Sequence, residues 1–112
     1  MSKPDKNALD ACIAACYRCA SICDHCAVAC LSEENVAQMA RCIQMDMDCA
    51  DACRFTAGAM ARDSECFTTI TRMCAEICKA CGDECSKHDH EHCQDCARSC
   101  LECADICKEL AA

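Results

Sequence analysis

The sequence has few of the residues from which an ordinary hydrophobic core is built. Leucine, isoleucine, valine and phenylalanine together account for 14 of 112 residues, tryptophan is absent, and the formal net charge is −8. So few large apolar residues with so much charge are typical of a disordered chain. Glycine (2) and proline (1) are also scarce, which argues against a loop-rich scaffold and suits long helices. A core can form only if another residue type fills it.

Three further absences limit the environment and partners of the chain. No uninterrupted apolar run reaches the roughly 18 residues of a transmembrane helix, so we expect no membrane span. The acidic balance argues against nucleic acid as a partner. The N-terminal segment MSKPDKNALDA lacks the basic start and apolar run of a secretory signal. We therefore expect one domain, residues 1–112, in the cytoplasm, where reducing conditions keep thiols free.

Cysteine is the residue in excess, at 19 of 112 positions. A buried, protonated cysteine behaves as a small hydrophobic residue, so cysteine can form the core that is otherwise missing. A disulfide scaffold is the common explanation for such a count. It is disfavoured here because the number is odd and the cysteines recur along single helical faces.

The spacing of the cysteines predicts helices with one thiol-lined face. From Cys12 to Cys30 the successive intervals are 4, 3, 4, 3 and 4 residues, which is the heptad spacing of one helical face. The same alternation recurs over residues 74–85 and 93–107. In the segment 39–53 the thiols are mixed with methionines and with Asp46.

These patterns predict an all-α fold, an antiparallel up-down-up-down four-helix bundle with a cysteine-lined core. The first helix is predicted to run from near Pro4 to Cys30. The second is predicted to start at an N-cap on Ser32, and the third at Asp63 or Ser64. In this topology the His-rich link 87–92 lies at one end of the bundle, which predicts that metal enters the core at that end. An apolar plug is predicted at the other end, formed by Leu9, Met60, Phe67, Ile70 and Leu110.

We predict a metal site that takes in every cysteine, together with the histidines of the link and two methionines. Cysteines four apart can direct two sulfurs at one ion. His88 follows the cysteines of the third helix at the same helical spacing, so it is the best candidate for a histidine ligand. Because no single thiol stands out as a nucleophile, we do not expect an enzyme. The candidate ligands are Cys12, Cys16, Cys19, Cys23, Cys26, Cys30, Cys42, Cys49, Cys53, Cys66, Cys74, Cys78, Cys81, Cys85, Cys93, Cys96, Cys100, Cys103, Cys107, His88, His90, His92, Met39 and Met45.

Soft thiolate ligands select Cu(I), Zn(II) or an iron–sulfur cluster. Zinc bound by four thiolates leaves a charge of about −2 at each site, and several such sites would bury much uncompensated charge. Cu(I) shared by bridging thiolates at roughly one ion per cysteine leaves the core nearly neutral. Storage of many Cu(I) ions is therefore favoured. A zinc or mixed-metal buffer is the alternative, and an iron–sulfur protein is disfavoured because the ferredoxin spacing is missing.

The chain resembles the copper storage proteins, in particular their cytosolic branch. The resemblance lies in the thiol stripe of residues 12–30 and in the segments MARCIQMDMDCADAC (39–53), MARDSEC (60–66) and CSKHDHEHCQDCARSC (85–100). It implies a four-helix bundle filled with Cu(I)-thiolate and assembled as a homotetramer. It also implies that metal enters near His88, His90 and His92, supplied by a copper chaperone or a small-thiol donor.

Overall fold

The structure, a computed structural model, describes residues 4–112. In this range the chain forms α1 (Lys6–Leu31), α2 (Ala40–Ala61), α3 (Phe67–Cys85) and α4 (Glu91–Ala111), with a short 3-10 helix (Val36–Met39) before α2. Each α-helix packs against the next one along the chain, and α1 also packs against α4. The prediction of an all-α four-helix bundle is confirmed. None of the helices in residues 4–112 has a stretch long and apolar enough to cross a membrane.

The predicted start of the second helix is wrong. Ser32 ends α1 instead of capping α2, and its backbone N–H donates to the Ala29 carbonyl at 3.1 Å. Because α2 runs antiparallel to α1, the chain must first reverse direction, and it does so over a turn and the 3-10 helix Val36–Met39. This displacement places Glu33 in the link at the end of the bundle.

The third helix also begins later than predicted, at Phe67. Asp63 has a positive φ of 58°, a conformation that aspartate tolerates in turns. The Cys66 backbone N–H then donates to Ser64 Oγ at 3.1 Å. Cys66 therefore lies on the turn before α3, where it is exposed. Its predicted place on the thiol-lined face is wrong, because the helical phase does not extend into the turn.

The bundle is long and narrow, 49 Å by 19 Å by 18 Å, because its core is made of small side chains. Thiols and alanines, among them Ala20, Ala50 and Ala57, are fully buried where a typical bundle would have leucine. Helices α3 and α4 come especially close at Gly82. A Cβ atom built there would lie 2.7 Å from Leu101 Cγ and 3.3 Å from the Ala97 carbonyl oxygen.

The two ends of the bundle differ as predicted. At one end Met60 is only 2% exposed, and Leu9, Phe67 and Leu110 pack against the core as partly buried side chains. These four side chains form the plug; Ile70, the fifth predicted member, is half-buried and is not one of the side chains packed against the core. The other end contains the link between α1 and α2 together with the histidines between α3 and α4, and we call it the mouth.

Candidate metal centre

Eighteen of the nineteen cysteines are buried, and all nineteen are free thiols. The heptad spacing brings sulfurs from all four helices onto the bundle axis. Neighbouring Sγ atoms lie within van der Waals and weak hydrogen-bonding distance, from 3.4 Å for Cys42–Cys85 to 4.0 Å for Cys16–Cys107. Cys66 is the exception, and the structure does not bring it to the other thiols.

The half of the core nearer the plug contains thiols from all four helices. Cys12 lies 3.7 Å from Cys107, joining α1 to α4. Cys53 lies 3.5 Å from Cys78, joining α2 to α3. These contacts confirm that the cysteines of α2, despite their wider spacing in the sequence, face the same axis as the regular stripes.

The middle of the core contains thiols that belong to more than one possible metal site. Cys19, Cys23, Cys49 and Cys100 offer four sulfurs that all lie within 4.8 Å of one another. Cys23 and Cys100 also form such a set with Cys81 and Cys96, and Cys19 and Cys49 form another with Cys53 and Cys78. Because the sets share members, they cannot act as separate four-thiolate sites at the same time. The arrangement suits ions that are bridged by shared sulfurs.

A single carboxylate lies among the thiols in the half nearer the mouth. Asp46 is fully buried, and its Oδ1 accepts hydrogen bonds from Cys81 at 3.2 Å, Cys85 at 3.3 Å and Cys96 at 3.2 Å. Burial raises the pKa of Asp46 to about 8, since a charged carboxylate is poorly solvated in the core. Asp46 lies here because it is one helical turn from Cys42 in α2, on the same face as the buried thiols.

Two thiols at the mouth, Cys30 and Cys93, hold their protons more firmly than an exposed cysteine does. Burial raises the pKa of Cys30 to about 11 and raises the pKa of Cys93 as well, because desolvation disfavours the thiolate. Cys42, which belongs to the same four-sulfur set, is shifted the other way, because hydrogen bonds with Cys26 and then with Cys85 lower its pKa. A metal that binds Cys30 or Cys93 must displace the proton of that thiol.

At the mouth, the histidine that reaches the thiols is His92. Its Nδ1 lies 3.4 Å from Cys26 Sγ, 3.5 Å from Cys93 Sγ and 4.0 Å from Cys30 Sγ. It is held there because it lies in the first turn of α4, directly before Cys93. Of the three histidines in the link, it has the position of an inner ligand.

His88, the histidine favoured by its seam phase, has a different partner. Its Nε2 lies 2.9 Å from Glu84 Oε2, and Glu84 also accepts from Arg41 Nε at 2.9 Å. These hydrogen bonds, with that from His88 first, lower the pKa of Glu84. Helix α3 ends at Cys85, so the helical phase does not continue to His88.

The two candidate methionines are separated by the fold. Met39 is fully buried near the mouth, and its sulfur lies 3.9 Å from the side-chain nitrogen of Asn35. Met45 is half-buried and lines a groove between α2 and α3 with Phe55, Met73 and Ile77. The structure does not bring Met45 into the thiol core.

Sequence reasoning missed the carboxylate at the mouth. Glu33 Oε2 lies 2.6 Å from His90 Nδ1 and 3.7 Å from His92 Nε2. The two imidazole rings are stacked, with centroids 5.4 Å apart and planes inclined by 3°. No local pattern signals this cluster, because Glu33 and the histidines are separated by two whole helices in the sequence.

The comparisons with known proteins agree with this geometry. A family model described as copper storage protein matches residues 5–112. The Cu(I)-bound copper storage protein BsCsp3 is 46% identical, with 94% of this chain and 99% of that chain covered and a TM-score of 0.90. A cytosolic copper storage protein from Streptomyces lividans, solved with five coppers, is 45% identical, with 94% and 92% covered and a TM-score of 0.91. The cysteine-rich protein YhjQ of Bacillus subtilis is 47% identical over 103 residues, which are 92% of this chain and 95% of that protein. The chain belongs to the copper storage protein family.

Proposed function

We propose that this chain stores many Cu(I) ions in the cytosol, bound by the thiolates of its eighteen buried cysteines. The observation that carries the proposal is the overlap of the four-thiol sets along the bundle axis. Cu(I) takes only two or three sulfurs and can share a bridging thiolate with the next ion, so the overlapping sets can hold nearly one ion per cysteine. Tetrahedral zinc takes four sulfurs per ion, so the same sets would hold far fewer ions. The overlap therefore favours Cu(I) over the zinc alternative.

Charge balance supports the same conclusion. Each Cu(I) that binds a thiol forms a copper–sulfur bond and releases one proton, so the charge of the core does not change at one ion per cysteine. Zinc in four-thiolate sites would leave about −2 for each ion, and the core already contains Asp46 as a buried acid. A bundle that is neutral both when empty and when full can load without a large electrostatic penalty.

The ligands that we propose are the cysteines within the bundle, with copper arriving at the mouth. His92 passes the ion to the core, since its Nδ1 lies within 4.0 Å of three thiols. His88, His90 and Met39 lie around it at the same end. Imidazole and thioether hold Cu(I) less firmly than paired thiolates do, so the ion moves on to the sulfurs. Cys66 and Met45 are left out of this ligand set.

The chain acts as one storage domain and has no catalytic role. Exposed apolar side chains on the outer surface, such as Tyr17, Val28 and Phe55, which are each at least 50% exposed, support assembly into a homo-oligomer. The resemblance to the family makes this oligomer a homotetramer. Copper is delivered by a chaperone or by a small-thiol donor.

An anaerobic titration of the reduced protein with Cu(I), in competition with a chromogenic chelator, tests this function. We expect saturation near one Cu(I) per buried cysteine, or about eighteen ions. A parallel titration with Zn(II) is expected to saturate at about one ion per three or four cysteines. If Cu(I) also saturates in that lower range and zinc displaces it, the protein is a zinc buffer and the storage proposal is wrong.

A further inference from the structure

The two ring nitrogens of His92 have very different surroundings. Nδ1 faces the sulfurs of Cys26, Cys93 and Cys30 at 3.4, 3.5 and 4.0 Å. Nε2 is buried and has no hydrogen-bond partner. The carboxylate oxygen Oε2 of Glu33 lies 3.7 Å from it, about 1 Å beyond an ordinary hydrogen bond. Nδ1 is therefore directed at the thiols, and Nε2 has no acceptor for a hydrogen bond.

Glu33 is placed to be that acceptor. It lies in the link after α1 and is largely buried, with 24% of its side chain exposed. Its Oε2 also lies 2.6 Å from His90 Nδ1, and the His90 ring stacks on that of His92. The stack and the contact between Glu33 and His90 hold both rings beside the carboxylate. A small movement of the carboxylate or of His92 closes the gap to Nε2.

A neutral imidazole has a proton on one nitrogen and a lone pair on the other, and only the lone pair can bind a metal. If Nδ1 is to bind Cu(I) beside the thiols, the proton must be on Nε2. A buried N–H without an acceptor is unfavourable. Histidine ligands in metal sites accordingly donate their second nitrogen to a carboxylate or carbonyl, which fixes the tautomer and the ring orientation.

We propose that Glu33 is a positioning residue for copper uptake. It accepts the His92 Nε2–H and so keeps the Nδ1 lone pair directed at Cys26, Cys30 and Cys93, where the incoming ion is passed to the thiols. The inference rests on the proposed storage of Cu(I), because it concerns the path by which the ion reaches the core. It assigns a role to Glu33 in the rate of loading and none in the final capacity.

Three variants test this role: Glu33→Ala, Glu33→Gln and, as a matched control, Glu34→Ala. Glu34 is the exposed neighbour of Glu33, so its removal takes the same charge from the same link. Loading is followed by stopped flow with a chelated Cu(I) donor. We expect Glu33→Ala to load about tenfold more slowly, at the low end of the roughly 10–100-fold loss of metal affinity or activity that follows removal of such a partner. Glu33→Gln is expected to load close to the wild-type rate, because its amide oxygen can still accept the His92 Nε2–H. Glu34→Ala is also expected to load at close to the wild-type rate.

Nitrogen-15 NMR of the imidazoles gives a second readout that a merely structural role would not move. The metal-free wild type is expected to show His92 protonated at Nε2, and Glu33→Ala is expected to show a mixture of tautomers. In a His92→Ala background, Glu33→Ala is expected to cause no further loss of loading rate.

Four results would overturn the proposal. The first is a wild-type loading rate in Glu33→Ala, and the second is an unchanged His92 tautomer in that variant. The third is equal slowing by Glu33→Gln and Glu33→Ala, which would assign the effect to charge. The fourth is an undiminished effect of Glu33→Ala when His92 is absent. The equilibrium capacity for Cu(I), measured on the same samples, distinguishes a failure of the role proposed for Glu33 from a failure of copper storage itself. A wild type that binds only a few ions contradicts storage, whereas the NMR result still decides the role of Glu33.

Discussion

Substitution of Gly82 by alanine is expected to destabilise the protein through the contact between α3 and α4. The added Cβ would lie 2.7 Å from both Cγ and Cδ2 of Leu101 and 3.3 Å from the backbone oxygen of Ala97. Leu101 Cγ is close to the backbone, so a rotation of the side-chain end does not remove the overlap. The two helices must therefore separate slightly, or Leu101 must adopt a poorer rotamer.

The magnitude follows from two opposing effects. Overpacking of a tight contact typically costs about 1–3 kcal/mol. Replacing glycine by alanine within a helix stabilises by about 1 kcal/mol. The net loss in the free energy of unfolding is then about 1 kcal/mol, which lowers the melting temperature of a domain of this size by about 4 °C.

Gly58→Ala provides a control with the opposite expected sign. Its Cβ would lie 3.0 Å from Nη1 of Arg62, which is the far end of a flexible, exposed side chain. The overlap is relieved by a movement of the arginine, so the helix-propensity gain of about 1 kcal/mol remains. Thermal unfolding of the reduced, metal-free variants is measured by circular dichroism under anaerobic conditions.

The reasoning would be refuted if Gly82→Ala were as stable as the wild type, or if both alanine variants shifted in the same direction. A double variant, Gly82→Ala with Leu101→Ala, checks the cause. Because Leu101→Ala removes the atoms that overlap, the loss caused by Gly82→Ala is expected to disappear in this background. A loss that persists would point to the contact with Ala97 instead.

Three further predictions concern the thiol core. Cys66→Ser is expected to leave the Cu(I) capacity unchanged. Cys100→Ser removes a thiol shared by two four-sulfur sets and is expected to lower the capacity by at least one ion. A Cu(I) titration in which both variants lose equally would contradict the separation of Cys66 from the core. Asp46→Asn is expected to change the pH dependence of stability. Folding raises the pKa of Asp46 from 3.8 to about 8, so the wild type loses stability relative to the variant as the pH rises between these values, by up to about 1.4 kcal/mol per pH unit. Urea unfolding of the metal-free proteins at pH 5 and pH 8 checks this, and a constant difference between them would count against it. Finally, the reduced metal-free protein is expected to be helical by circular dichroism. Loading with Cu(I) is expected to raise its melting temperature strongly, because the unfolded chain cannot hold the bridged ions as well. A random-coil spectrum before loading would show that thiols alone do not form this core.

The thiol-lined axis could be predicted from the sequence because it depends on periodicity alone. Cys12 and Cys107, at opposite ends of the chain, meet because each continues a heptad stripe within a regular helix. The same reasoning failed outside the bounds of the helices. Cys66 lies before α3 and His88 lies after it, so neither follows the phase of that helix.

Contacts between distant segments left no signal in the sequence. The predicted N-cap at Ser32 would place Glu33 in the first turn of a helix, but Glu33 lies in a link and contacts His90, which is distant in the sequence. Gly82 gave no sign of its role, because the need for glycine comes from Leu101 on the neighbouring helix. Contacts of this kind depend on where each helix ends and on how neighbouring helices pack. The pattern of apolar residues determines neither the helix ends nor the packing.

The most direct test of copper storage is a crystal structure of the Cu(I)-saturated protein, with the ions located by anomalous scattering at the copper edge. We expect a continuous column of ions along the bundle axis, bridged by the buried thiolates, with about one ion per buried cysteine and none at Cys66. Two or three isolated ions, or copper bound only on the outer surface, would contradict storage in the core.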